Sequence, residues 1–400
     1  MRRARATALA IGLALAALVA WPFLRARHQD GAGAPGITVE GNLAAIDAFL
    51  AERARSGPAP LPPGPGPHLV REPVPEDVAV RLFPQLVLSK RGVEYDERCY
   101  YRYRPRLRRV IPFAERPEGE WVFRTNSAGL REDVELAERR PDLRVVVAGD
   151  SQTEGVCSND ESWPNLLEAG LARAAPGRRV EVLNTGKAGY HVYNYLGVLE
   201  KYLELEPDLF VVGLYGGNDF AEAMILHHYF RRTPRPSCER CDRDAMLEVR
   251  DDQTVGYHTQ ALRQVQTFRH HPEEREAALE AALATVAECA RLCSERGIGF
   301  LLVHLPPMVD AQPRFLGPDL DRALEVYGLA RPDLAVSGEL ADRVLAFAAS
   351  KGAATTDLRE VFAKVERQLY WNRDHHLSVA GNHVVAGVLV PRVEGLIAGR

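Results

Sequence analysis

The sequence lacks a dominant charge. Lys and Arg number 50 against 54 Asp and Glu, a formal net charge of -4, and that balance gives no reason to expect nucleic acid as a partner. The exception is local, a basic run at residues 102–109 beside Tyr100, Tyr101 and Tyr103. It reads first as a solvated face, with acidic glycans or lipid headgroups as the alternative contact. Cysteine is scarce, six in 400 residues. Cys238 and Cys241 lie in a polar, proline-containing stretch and could close a small disulfide loop. Cys289 and Cys293 fall one turn apart on an expected helix, where a bridge is awkward and buried thiols fit better. Cys99 and Cys157 either pair or stay free. A zinc site built from Cys238, Cys241, His227, His228, His270 and His271 would match no established ligand spacing.

Also missing is a convincing cleavage site behind the apolar run at residues 7–24. Arg2, Arg3 and Arg5 precede that run, and Arg25 and Arg27 close it. About eighteen apolar residues can just span a bilayer, and the upstream arginines favour an inside N-terminus. Leu18, Val19 and Ala20 make a poor small-residue site. The expectation is an uncleaved signal-anchor over residues 1–27, with the rest outside the cytoplasm, in a periplasm or on a cell surface. Residues 28–72 read as a linker, dense in proline and glycine at 56–67, with room for a short helix at 37–55. Residues 73–143 read as an irregular N-terminal extension, packed on a catalytic domain that occupies 144–400.

What is present from residue 144 onward is alternation. Short apolar runs at 145–148, 180–183, 209–214, 298–304 and 353–357 predict strands. Between and after them, 162–174, 193–205, 273–296, 339–350 and 379–397 predict helices. Ser162 is the expected N-cap of the first helix, with Pro164 in its first turn. The order implies a three-layer α/β/α fold around a parallel sheet. Residues 221–272 are too long for a plain connection and are expected to cap the site. Tyr229, Phe230 and Arg231 are candidate lining residues of that cap.

Strand ends carry the chemistry. The first strand runs into Gly149, Asp150 and Ser151, at the sheet edge where open α/β folds place their sites. Ser151 is the candidate nucleophile. A serine needs a base to take its proton and a group to orient that base. The loop before the last helix holds Asp374, His375 and His376. His376 is the expected base, with His375 as its rival, and Asp374 can bend back to the imidazole. Alternatively, Asp374 and Ser378 cap the final helix. Donors for an oxyanion come from two other loops. Gly189 offers a backbone N–H, with Gly186 serving the turn, and Asn218 offers its side-chain amide. With the N–H of Ser151 these make an oxyanion hole.

Gly149-Asp150-Ser151, Gly189, Gly216-Gly217-Asn218-Asp219 and Asp374-His375-His376-Leu377-Ser378 resemble, in order and spacing, the four blocks of the SGNH (GDSL-type) hydrolase family. Residues 126–131 resemble the lead-in of its extracytoplasmic members. The resemblance implies a flavodoxin-like fold, with Ser151 as nucleophile, His376 as base and Asp374 as its orienting acid. It also implies an oxyanion hole from Ser151, Gly189 and Asn218, and no metal or cofactor. Activities in the family include esterases, lipases, carbohydrate O-acetyl esterases and some O-acyltransferases. The expected substrate is an acyl ester, in the first place acetyl, of an envelope glycan or lipid. The rivals are an O-acyltransferase and a non-catalytic glycan-binding module. One departure stands out. The family pattern puts the acid three residues before the histidine, where this chain has Arg373, and Asp374 is two before.

Overall fold

A computed structural model describes residues 39–56, 67–88, 92–236, 259–374 and 376–398. The expected anchor at 1–27, Cys238, Cys241 and His375 all lie outside the described residues. Among the described residues, no helix is long and apolar enough to cross a membrane.

The extension begins with two short helices, Glu76–Leu82 and Pro84–Leu88, and continues as two antiparallel hairpins. In the first, β1 (Val93–Asp96) pairs with β2 (Tyr100–Tyr103), and in the second, β3 (Arg108–Pro112) pairs with β4 (Glu120–Arg124). The parallel sheet follows with β5 (Leu143–Gly149), β6 (Val180–Asn184), β7 (Leu209–Tyr215), β8 (Gly299–Leu305) and β9 (Ala354–Asp357). These five form one parallel sheet in the order β6-β5-β7-β8-β9. Counted from β5, that is the 2-1-3-4-5 order of the flavodoxin-like folds, whose crevice opens beside the first strand. The strands lie close to the runs read from sequence.

All seven residues of β5 are buried, so its two faces feed two separate cores. Val146 and Ala148 join Leu183, Phe210 and Val212 on one face, whereas Leu143, Val145 and Val147 join Leu167, Leu171 and Val211 on the other. This is the period-two alternation of a strand, doubled because helices cover both sides. The helices that cover the sheet and flank the site are α1 (Val39–Ser56), α2 (Trp163–Ala174), α3 (Val192–Tyr202), α4 (Met224–Arg231), α5 (Thr259–His270), α6 (Pro272–Arg296), α7 (Ala335–Ser350) and α8 (Val379–Ala398). Leu196 and Leu199 of α3, Ala282 and Val286 of α6 and Leu340 and Val344 of α7 fill the first core. Val385 and Leu389 of α8 fill the second. Ser162 does precede α2, but its hydroxyl meets Asn165 Oδ1 rather than capping a backbone N–H.

Two segments depart from expectation. The helix expected in the span read as linker is present as α1, but it is packed rather than tethering: Ile46 and Leu50, one turn apart, are buried in the first core. Arg53 of this helix donates to the carbonyl of Tyr229 at 3.0 Å. Part of that span therefore belongs to the packed body, because its i, i+4 apolar pair has a face to cover. The span read as a cap is core at both described ends. Tyr229 stacks on Phe49, Phe230 meets Tyr193 edge-on, and Arg231 pairs with Glu280. These three side chains serve packing between α4 and its neighbours; residues 237–258 lie outside the described set.

The extension seats on α3 through Gly197. A Cβ there would run into the backbone carbonyl of Arg98 and come within 3.1 Å of Cys99 Cα. Backbone cannot yield as a flexible side chain can, so Gly197→Ala is expected to cost about 1–3 kcal/mol. Chemical denaturation followed by tryptophan fluorescence would check this, and an unchanged midpoint would contradict it.

Candidate active site

Gly149 ends β5, and a Cβ at this position would overlap Thr153 Oγ1, so the chain can fold tightly under itself only with glycine here. Asp150 then caps a single helical turn, Ser151–Glu154, its Oδ1 accepting from Gln152 N at 2.8 Å. Ser151 is the first residue of that turn and is 9% exposed. Burial pushes the Asp150 carboxyl above its ordinary range, against the pull of the Gln152 N–H and of His376.

The loop carrying His376 is shaped by its own backbone. Tyr370 and Leu377 form an antiparallel bridge, and Trp371 N donates to His376 O at 3.0 Å. Asp374 Oδ1 accepts from His376 N at 2.8 Å and lies 2.5 Å from His376 Nδ1. The carboxylate two residues before the histidine therefore reaches the ring, although the family spacing would have used residue 373. Ser378 Oγ accepts from Gly381 N at 3.3 Å, in the manner of a helix cap, while Asp374 turns to the imidazole. Burial alone would lower the basicity of His376. The charge and hydrogen bond of Asp374, with Asp150 and Glu154 behind it, outweigh burial and hold the imidazole above its ordinary value. With Nδ1 directed at Asp374, the basic nitrogen of the ring is Nε2.

This loop is fastened to the turn that begins at Ser151. Leu377 N donates to Gln152 Oε1 at 2.9 Å, across 225 residues of chain. Trp371 Nε1 donates to Val156 O at 3.2 Å. The residues that follow Ser151 and His376 are thus directly bonded to each other.

The glycine loop after β6 wraps the same turn. Lys187 N donates to Gly149 O at 3.1 Å, and Ala188 N to Glu154 Oε2 at 2.6 Å. Gly189 has φ 79, a left-handed conformation suited to glycine. Its carbonyl accepts the Tyr101 hydroxyl at 2.6 Å, which ties the extension to this loop. Lys187 is wholly buried, its amine 4.3 Å from the centre of the Tyr103 ring, and burial pushes it down to about 8.

After β7, Asp219 Oδ2 accepts from Tyr215 N at 2.8 Å and from the Tyr195 hydroxyl at 2.7 Å, closing the turn on itself. The Asn218 amide donates to Glu222 Oε1 at 3.0 Å and to Gln260 Oε1 of α5 at 3.3 Å. Burial pushes Glu222 up to about 7. Nothing in the sequence pointed to Gln152, Glu154, Glu222 or Gln260, since each acquires its partner only when distant loops meet.

Among the described residues, the remaining titratable candidates do not gather into a metal centre. His228 bonds Glu274 and Thr233, and His227 lies 3.5 Å from the Tyr193 hydroxyl. Among the described residues, no group of three or more His, Cys, Asp or Glu is placed to hold a metal ion. Cys99, Cys157, Cys289 and Cys293 are buried thiols.

The model of the GDSL-like Lipase/Acylhydrolase family matches residues 147–384, more than half of the chain, and the chain belongs to that family. Its class is that of hydrolases acting on acyl esters. No curated protein matches the chain. Among solved structures it is similar to a mutant of Axe2, an acetyl-xylooligosaccharide esterase from Geobacillus Stearmophilus, at 16% identity, with 64% of this chain and 96% of that one covered and a TM-score of 0.39. It is also similar to a GDSL-like lipase from Bacteroides thetaiotaomicron, at 15% identity over 64% and 92% of the two chains, TM-score 0.34. LAE5, an alpha/beta hydrolase enzyme from the metagenome of Lake Arreo, is 18% identical over 63% and 95%, TM-score 0.36. At such TM-scores the likenesses decide nothing about this chain.

Proposed function

We propose that the protein is a serine esterase that forms an acyl-enzyme on Ser151. The observation that carries this reading is the bond from Leu377 N to Gln152 Oε1, which sets the Asp374–His376 pair beside the turn that presents Ser151. In the proposed reaction Ser151 Oγ attacks the ester carbonyl while His376 Nε2 takes its proton. Asp374 holds the ring in the required tautomer and favours the imidazolium that forms. The N–H groups of Ser151 and Gly189 and the Asn218 amide receive the developing oxyanion. The 3.3 Å bond from Asn218 to Gln260 is the longer of its two, and is the one the substrate oxygen would replace, while Glu222 keeps the amide oriented. Collapse expels the alcohol with the proton from His376. Water, activated by the same histidine, then attacks the acyl-enzyme and releases the acid.

The proposed substrate is an acetyl or short acyl ester of an envelope glycan or lipid, reached by a catalytic domain held at the membrane by residues 1–27. The support is the arginine-flanked apolar run and the family's known chemistry. A fluorophosphonate probe tests the core of the proposal. It is expected to label the wild-type chain, with the adduct mapped to Ser151 by mass spectrometry, and to leave Ser151→Ala unlabelled. Equal labelling of both would refute the assignment.

A further inference from the structure

We infer that Glu115, at the tip of the β3–β4 hairpin in the N-terminal extension, is a positioning residue for the Asp374–His376 pair. The inference rests on the proposed roles of Ser151, His376 and Asp374, and gives the extension a part in them.

The loop from Trp371 to Asp374 has backbone N–H groups that must be satisfied as it approaches the site. Glu115 does this from across 258 residues of chain. Its Oε1 and Oε2 accept from Arg373 N, both at 3.1 Å, and Oε1 also accepts from Asp374 N at 3.0 Å. One carboxylate thus grips the two peptide groups that lead into the acid. The hairpin tip is itself held fast. Phe113 packs edge-on against Trp371, with ring centres 5.1 Å apart, and Arg116 makes a two-point bond with Glu161, at 2.6 and 2.9 Å. Glu161 in turn accepts from Ser158 N at 2.8 Å, in the segment that leaves the nucleophile turn. The brace therefore spans both halves of the site, the loop of His376 on one side and the segment after Ser151 on the other.

Burial raises the Glu115 carboxyl above its ordinary value, the Asp374 charge adds to that, and the N–H bonds only partly oppose it. A carboxyl raised in the folded chain contributes its stability at low pH and loses it as pH climbs through the raised value. Above that value the ionised group therefore stabilises the fold less than the protonated one would. What it supplies is geometry, because two charge-assisted bonds fix where Asp374 stands, and a displacement of about 1 Å at a reacting group can cost on the order of 10² in rate.

Glu115→Gln keeps the size but offers an amide donor to one of the two N–H groups. The experiment measures kcat and KM for p-nitrophenyl acetate hydrolysis, together with thermal midpoints, for the wild type, Glu115→Gln, Ser151→Ala and Glu118→Gln. Glu118 lies on the same hairpin tip and is exposed, bonded to Arg116 at 3.2 Å, so it controls for loss of a carboxylate charge from the tip without touching the Arg373 and Asp374 N–H groups. The expected result is a fall in kcat of about 10- to 10²-fold for Glu115→Gln, with KM little changed, the midpoint unchanged or higher, and Glu118→Gln like the wild type. Wild-type kcat in Glu115→Gln beside a dead Ser151→Ala would overturn the brace and leave the esterase reading intact. A loss of kcat matched by a lower midpoint, or one shared by Glu118→Gln, would overturn it too, as a purely structural effect. An active Ser151→Ala would defeat the underlying reading and the brace with it.

Discussion

Replacing Ser151 by alanine is expected to lower kcat for a simple aryl ester by about 10⁴–10⁶. The turn would survive the change. Its cap is the Asp150 carboxylate on Gln152 N, and its backbone bonds run from Thr153, Glu154 and Gly155 to Asp150 and Ser151 carbonyls; none of them uses the serine hydroxyl. The expected defect is therefore chemical, with an unchanged circular-dichroism spectrum and thermal midpoint. Residual hydrolysis would reflect the oxyanion donors, which the substitution leaves in place. Steady-state kinetics on the purified chain would check this, and retention of about a tenth of wild-type kcat would be incompatible with Ser151 as nucleophile.

Asp374→Asn is expected to cost about 10⁴ in kcat and to move the pH profile. In the wild type the neighbouring carboxylate holds the His376 imidazole above its ordinary value, against burial. The base must be neutral to accept the serine proton, so activity should fall as pH drops through that raised value. Without the Asp374 charge, burial dominates, the imidazole becomes less basic and the acid limb should shift to lower pH. A coupled effect follows for stability. A histidine raised in the folded state contributes stability that is full below its ordinary value and is lost as pH rises through the raised one. The asparagine variant should lose that low-pH contribution. Rate against pH and thermal midpoint against pH would both be read, and an acid limb that stayed in place would argue for a different partner of His376.

The parallel sheet was legible because each of its strands is a β-branched or leucine-rich run closed by glycine, proline or a polar turn. The run read at 145–148 became Leu143–Gly149, and that read at 209–214 became Leu209–Tyr215. The hairpins of the extension were harder to read. The strand Tyr100–Tyr103 carries Tyr and Arg together, and long amphipathic side chains blur the inside–outside alternation that reveals a strand. Helix Val39–Ser56 lay close to the short helix read at 37–55, but its packing into the first core was not legible beside the proline- and glycine-dense stretch that follows it. In the proposed site, Ser151, Asp374, His376, Gly189 and Asn218 could be singled out because each follows a strand or precedes a helix, where loops meet the sheet edge. Glu115, Gln152 and Glu154 were not, because only the tertiary fold brings a carboxylate to Arg373 N or a glutamine to Leu377 N.

The first core has a consequence for how this chain can be divided. Phe83, Tyr101, Phe123 and Ile46 lie in the same apolar cluster as Val146, Leu196 and Phe210. The family-matching segment, 147–384, contains only the last two of these and omits most of β5, the strand at the root of the nucleophile turn. Excised by itself, that segment would leave α3 with a greasy flank in water, inviting self-association. Shortening the upstream part of the chain is therefore expected to destabilise the packed body, which is larger than the segment that carries the motifs.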